Sequence, residues 1–162
     1  MNTTLSPRVV RGRRRGQALV EFALVLPIFL LVLVGLFDLG RAVFAYNSIT
    51  NGAREGARLA IVNQSTALIK QRAINQVAIA ETVDPSVTIA FYRDATLTTT
   101  CTTATVGCMV SVEFQSTYRP ITPIISSFIF PSGVTFTARS VLPIEFTCPN
   151  ANVAAAQCPK QP

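Results

Sequence analysis

The chain has 162 residues, 49% of them hydrophobic, with four cysteines, no histidine, no tryptophan and a formal charge of +6. That length leaves room for one membrane helix and one small domain, and the lack of histidine removes imidazole from any acid–base or metal chemistry. The charge is concentrated: Arg8, Arg11, Arg13, Arg14 and Arg15 supply five of the basic residues, leaving nine basic against eight acidic over the rest. No aromatic residue interleaves with these arginines and no nucleic-acid-binding fold follows them, so no nucleic-acid partner is expected.

Directly after the arginines, every side chain from Ala18 to Phe37 is apolar except Glu21. Twenty residues rise about 30 Å as a helix, which matches a bilayer core. A basic flank marks the cytoplasmic side, so the N-terminus is expected inside and everything after Phe37 outside, in a single-pass protein of the cytoplasmic membrane. Glu21 is the anomaly, because a charged side chain in a span costs roughly 2.5–3.5 kcal/mol at mid-bilayer and less near the end.

Three accounts of this region compete. A secretory signal has a shorter apolar stretch, although Val43-Phe44-Ala45 would serve as its cleavage site and release a secreted domain. An uncleaved anchor, carrying an outside domain that binds another envelope component, explains length and charge but leaves Gly16 and Glu21 without a role. A prepilin-type leader explains both: a short basic peptide cut after glycine, with an acid five residues beyond the cut. Glycine suits a cleavage site because it accepts extended or strained backbone. Glu21 lies four residues after Gln17 and can pair with the amine of a neighbouring subunit's Gln17. Pro27 deletes a backbone hydrogen bond and favours a kink.

The runs Gly16-Gln17-Ala18-Leu19-Val20-Glu21-Phe22-Ala23-Leu24-Val25-Leu26-Pro27, Asp38-Leu39-Gly40-Arg41 and Ala53-Arg54-Glu55-Gly56-Ala57-Arg58 resemble, in this order, those of TadE-like proteins, minor pseudopilins of tight-adherence (Flp, type IVb) pilus systems. The resemblance covers about residues 13 to 62. It implies cleavage between Gly16 and Gln17 by a membrane prepilin peptidase, with Glu21 and Phe22 serving assembly. The implied partners are the membrane, that peptidase, other pilin or pseudopilin subunits and the Tad assembly machinery.

Beyond the span, Leu39, Val43, Tyr46, Thr50, Ala53, Ala57, Ala60 and Ile61 recur at helical spacing, so the helix is expected to continue to Val62 as the spine of an outside domain. From Gln17 it would be roughly 69 Å long. Gly52, Ala53, Gly56, Ala57 and Ala60 give it a shallow surface for close packing. Arg54, Glu55 and Arg58 read as a solvated face, with a modest Glu55–Arg58 pair. Ser65 or Thr66 is placed to cap a second helix reaching about Glu81, with Ile69, Ala73, Val77 and Ala80 inward. Asp84-Pro85 is expected to end helical structure, followed by strands over Val87 to Arg93, Met109 to Tyr118 and Val134 to Leu142. The segment Arg119 to Ser132 is too apolar for a free loop and predicts a short helical turn packed on the sheet.

The expected fold class is therefore α+β: a long N-terminal transmembrane helix continuing into a small pilin-like domain with a second helix and an antiparallel sheet. Its parts are a basic leader (1–16), the membrane part of the helix (17–37), the outside spine (38–62), the α+β domain (63–148) and a polar tail (149–162), with Ala151 to Pro162 expected to lack order. Cys101, Cys108, Cys148 and Cys158 lie at spacings of seven, forty and ten, without the close pairs of a zinc site. The favoured disulfides are Cys101–Cys108 and Cys148–Cys158, each closing a short loop. No catalytic constellation, metal ligand set or phosphate-binding loop is evident, so neither enzyme activity nor a cofactor is expected.

Overall fold

The computed structural model describes residues 13–77, 82–123, 125–150, 152 and 154–159, with the side chains of 13–15 and 82–84 outside that set. The arginines at 8 and 11, and Ala80 and Glu81, lie outside the described residues. The chain forms two compact units, Met1–Phe37 and Asp38–Pro162. A single helix, α1 (Arg13–Ala60, 48 residues), contributes to both.

In the first unit no other described element covers α1, and side chains from Leu19 to Phe37 are almost all exposed. Pro27 sits inside the helix, where its ring nitrogen cannot donate to the Ala23 carbonyl one turn back.

The second unit is an α+β domain. After α1 comes α2 (Thr66–Asn75), then three strands, β1 (Thr82–Tyr92), β2 (Met109–Tyr118) and β3 (Val134–Pro143). The strands form an antiparallel meander in the order β1-β2-β3. Val87 pairs with Phe114 and Phe114 with Ala138, which sets one face of the sheet inward. Because β2 is central and alternates, Val110, Val112, Phe114, Ser116 and Tyr118 are all buried.

Packing onto that face depends on small residues, as expected. A Cβ on Gly52 would stand 2.7 Å from both the Ala73 carbonyl oxygen and Val77 Cγ2, and one on Gly56 would stand 3.0 Å from Ala73 Cβ and 3.2 Å from Val112 Cγ1. With Ala45, Ile49, Ala53, Ala57 and Ala60 these positions form the buried stripe of α1. Of the expected stripe Ala53, Ala57 and Ala60 are buried, while Thr50 and Ile61 are half-buried. Leu39, Val43 and Tyr46 are exposed, since the buried stripe of α1 begins at Ala45 and runs through Ile49.

Several boundaries differ from the sequence reading. α2 ends at Asn75 rather than near Glu81, and Val77 turns into the core beside Gly52. Ser65 occupies the N-cap position without a side-chain cap bond, and its N–H instead donates to Asn63 Oδ1 (2.9 Å). β1 starts five residues earlier than expected. Asp84-Pro85 lies within it, at a register shift between Val83 and Ser86, an arrangement an edge strand tolerates because proline's missing N–H faces no partner.

Glu55 is not part of a solvated face. It accepts from Arg72 of α2 at 3.1 and 2.6 Å and also lies 3.7 Å from Arg58, so it links the two helices. The turn expected between β2 and β3 exists as a π-helical turn, Ile125–Ile129, but it buries none of its residues. The inward face of the sheet is already occupied by α1 and α2.

The segment after β3 is fastened to the end of α1, and of the tail residues 149, 150, 152 and 154–159 are described. Glu145 and Phe146 N–H both donate to the Ile61 carbonyl, and the side chain of Gln64 bridges Ala60 and Phe146 carbonyls (both 3.0 Å) while accepting from Cys148 N–H (2.7 Å). Asn63 Nδ2 donates to the Pro159 carbonyl (2.8 Å). The Ala57, Leu59 and Ala60 carbonyls of the last turn are satisfied by Ile61, Val62, Asn63 and the Gln64 side chain, and the Ile61 carbonyl just beyond the helix by the segment after β3.

Candidate processing and assembly segment

Gly16 and Gln17 lie in α1, at the end of its first turn, and both are exposed. The backbone there is helical rather than extended. Glycine costs a helix about 0.5–1 kcal/mol relative to alanine, and a Cβ at position 16 would meet nothing within 4 Å. Among the described residues nothing therefore accounts for glycine at this position. The first turn of a helix also carries N–H groups without intrahelical partners, which makes it the easiest part of α1 to unwind.

Glu21 stands one turn beyond Gln17, on the same face. It is exposed, and no hydrogen bond or ion pair to it is present among the described residues. Phe22 beside it is 62% exposed. These two side chains, like Gly16, pack against nothing among the described residues.

At the other end of the apolar run the situation reverses. Asp38 is buried, and four donors converge on it: Ile121 N–H on Oδ1 (3.0 Å), Thr122 N–H on Oδ2 (2.7 Å), the Thr122 hydroxyl on Oδ2, and the Tyr118 hydroxyl on the backbone carbonyl (2.9 Å). Arg41, one turn on, is 3.5 Å from Oδ1 and lies over the Tyr118 ring. Tyr118 stacks on Phe136, which meets Tyr46 edge to face. Burial pushes the Asp38 carboxyl up, but the Thr122 hydroxyl, the two backbone N–H groups and Tyr118 outweigh it, so the group lies below the usual carboxylate value. Asp38 and Arg41 thus fasten the β2–β3 connection to α1. Residue-level reasoning assigned Asp38 no role, although an acid placed directly after an apolar run was a signal that it needed partners.

The four cysteines form Cys101–Cys108 and Cys148–Cys158, the pairings favoured from spacing. The first closes the β1–β2 connection, where an open depression of about 430 Å³ is lined by Arg93, Thr105 and Val106 among others. The second closes the tail. Among the described residues no group of three or more Cys, Asp or Glu side chains is placed to hold a metal.

Residues 16–58 match the family model for TadE-like protein. The match begins at the glycine of the expected cleavage site and ends within the last turn of α1, so it covers Gly16, Glu21, Pro27, Asp38 and Arg41. It agrees with the resemblance carried by the three motifs. No curated protein and no solved structure matches the chain. The TadE-like segment contains one helix long and apolar enough to cross a membrane.

Proposed function

We propose that the chain is a minor pseudopilin of a Tad-type adhesion pilus, a structural and assembly subunit rather than an enzyme. It is inserted with its N-terminus in the cytoplasm and cut by a prepilin peptidase between Gly16 and Gln17. The observation that carries this reading is that the TadE-like match starts at Gly16, the position where no intramolecular contact explains a glycine. Glu21 supports it, since a carboxylate in an apolar helix that finds no partner among the described residues is relieved by one from a neighbouring subunit. The amine of that subunit's Gln17 has the right charge and is created only by cleavage.

Terminal sequencing of the native protein tests the cut. Gln17 as first residue is expected; Met1 would favour the uncleaved anchor, and Tyr46 a secretory signal. The cut after Ala45 would also fall inside α1, at a wholly buried residue. The role of Glu21 is tested by Glu21→Ala. This variant should insert and be cut normally, yet the ratio of mature protein in sheared pili or cross-linked complexes to mature protein in membranes should collapse. An unchanged ratio would remove Glu21 from assembly.

A further inference from the structure

The connection between β2 and β3 carries an apolar surface that the fold leaves uncovered. Ile121 is 64% exposed, Phe128 83%, Ile129 58% and Phe130 44%. From Pro120 to Ala138 there is no charged residue, and Arg119 marks the start of the segment. Such a surface on a secreted domain is an aggregation hazard unless something covers it.

Its position identifies the cover. Ile121 and Thr122 are hydrogen-bonded to Asp38, and Asp38 follows Phe37 covalently. Ile121 and Thr122 are thus held beside the first residue after the apolar run. Exposed apolar side chains also continue past Asp38 on α1, through Leu39, Val43 and Phe44, so the apolar surface does not stop at Phe37. Part of the loop backbone also meets a requirement of membrane depth, which is that polar main-chain groups be satisfied without water. Pro120, Pro123 and Pro131 have no N–H, and those of Ile121, Thr122, Ser126, Phe130 and Gly133 are all bonded within the protein.

We propose that residues 119–133 form a second membrane contact, with Phe128, Ile129 and Phe130 entering the headgroup and upper acyl region of the leaflet at which α1 emerges. This rests on α1 spanning the bilayer. Aromatic and branched apolar side chains beside an arginine suit that interface, the rings in the acyl boundary and the guanidinium among phosphates. The domain is then held to the lipid at two points, which fixes its tilt as well as its location.

Because the chain has no tryptophan, single-tryptophan variants report depth directly. Full-length Phe128→Trp, Leu30→Trp and Val106→Trp are reconstituted into phosphatidylethanolamine/phosphatidylglycerol vesicles containing lipids brominated high or low on the acyl chains, with Ile129→Trp as a second loop position. The expected result is blue-shifted emission from Phe128→Trp and Ile129→Trp, quenched most by shallow bromines. Leu30→Trp should be quenched most by deep ones and Val106→Trp by neither. Loop tryptophans that emit as in water while Leu30→Trp is quenched would overturn the loop contact and leave the span standing. Blue-shifted but unquenched loop tryptophans would show that protein, such as a second copy, covers the loop, and would also overturn it. An unquenched Leu30→Trp would overturn the spanning reading on which the contact rests.

Discussion

The glycines of α1 divide the helix into two regions governed by different partners. At Gly16, Gly35 and Gly40 an added methyl would meet empty space, whereas at Gly52 and Gly56 it would strike Ala73, Val77 or Val112. In the second region glycine is demanded by the fold, because α1 must approach α2 and β2 closely. In the first nothing among the described residues demands it. The same contrast separates the two acids at the ends of the apolar run, Glu21 without a bond among the described residues and Asp38 with four donors.

The largest effect expected from breaking this contrast is at Asp38. Asp38→Ala removes the carboxylate that accepts from the Ile121 and Thr122 N–H groups and the Thr122 hydroxyl, and should destabilise the domain by about 3 kcal/mol, read as a lower urea midpoint of the full chain in detergent. Glu21→Ala, the same substitution at the other acid, should leave that midpoint unmoved and affect only assembly. A smaller difference is expected between glycines. Gly52→Ala should destabilise by about 1–2 kcal/mol, since overpacking outweighs the gain in helix propensity, while Gly35→Ala should stay within about 0.5 kcal/mol of wild type. Equal effects at both positions would erase the division.

The smallest effect is confined to acid. The Asp38 carboxyl is lower in the folded chain than in the unfolded chain, so its stabilisation is fully present above the unfolded value of about 3.9 and is lost as pH falls through the folded value. Wild type should therefore lose stability below about pH 4 more steeply than Asp38→Asn, and the two urea-midpoint profiles should run parallel above about pH 5.

What could be read from the residues follows the same division. The apolar run, the small-residue stripe from Gly52 to Ala60, β2 to the residue and both disulfides are set by local pattern: length, period and short spacing. The errors fell where a distant partner decides. α2 stops at Asn75 because Val77 is drawn into the core beside Gly52, and Glu55 is claimed by Arg72 seventeen positions away. The π-helical turn was foreseen but its exposure was not, since composition says that apolar residues are present and not whether the sheet still has a free face for them. Asp38 needed contacts eighty and more positions on.

The clasp at the end of α1 also sets an order of events. Asn63 reaches the carbonyl of a residue 96 positions later, and Gln64 holds the segment after β3 at Phe146 and Cys148. During synthesis α1 is available first, yet the Ile61 carbonyl just beyond it waits for Glu145 and Phe146 to arrive before it is satisfied. A nascent chain stalled short of Cys148 would have its helix and most of its sheet but an open seam, vulnerable to proteases at the α1–α2 junction. Completion of the domain is thus a late event, timed by delivery of the tail.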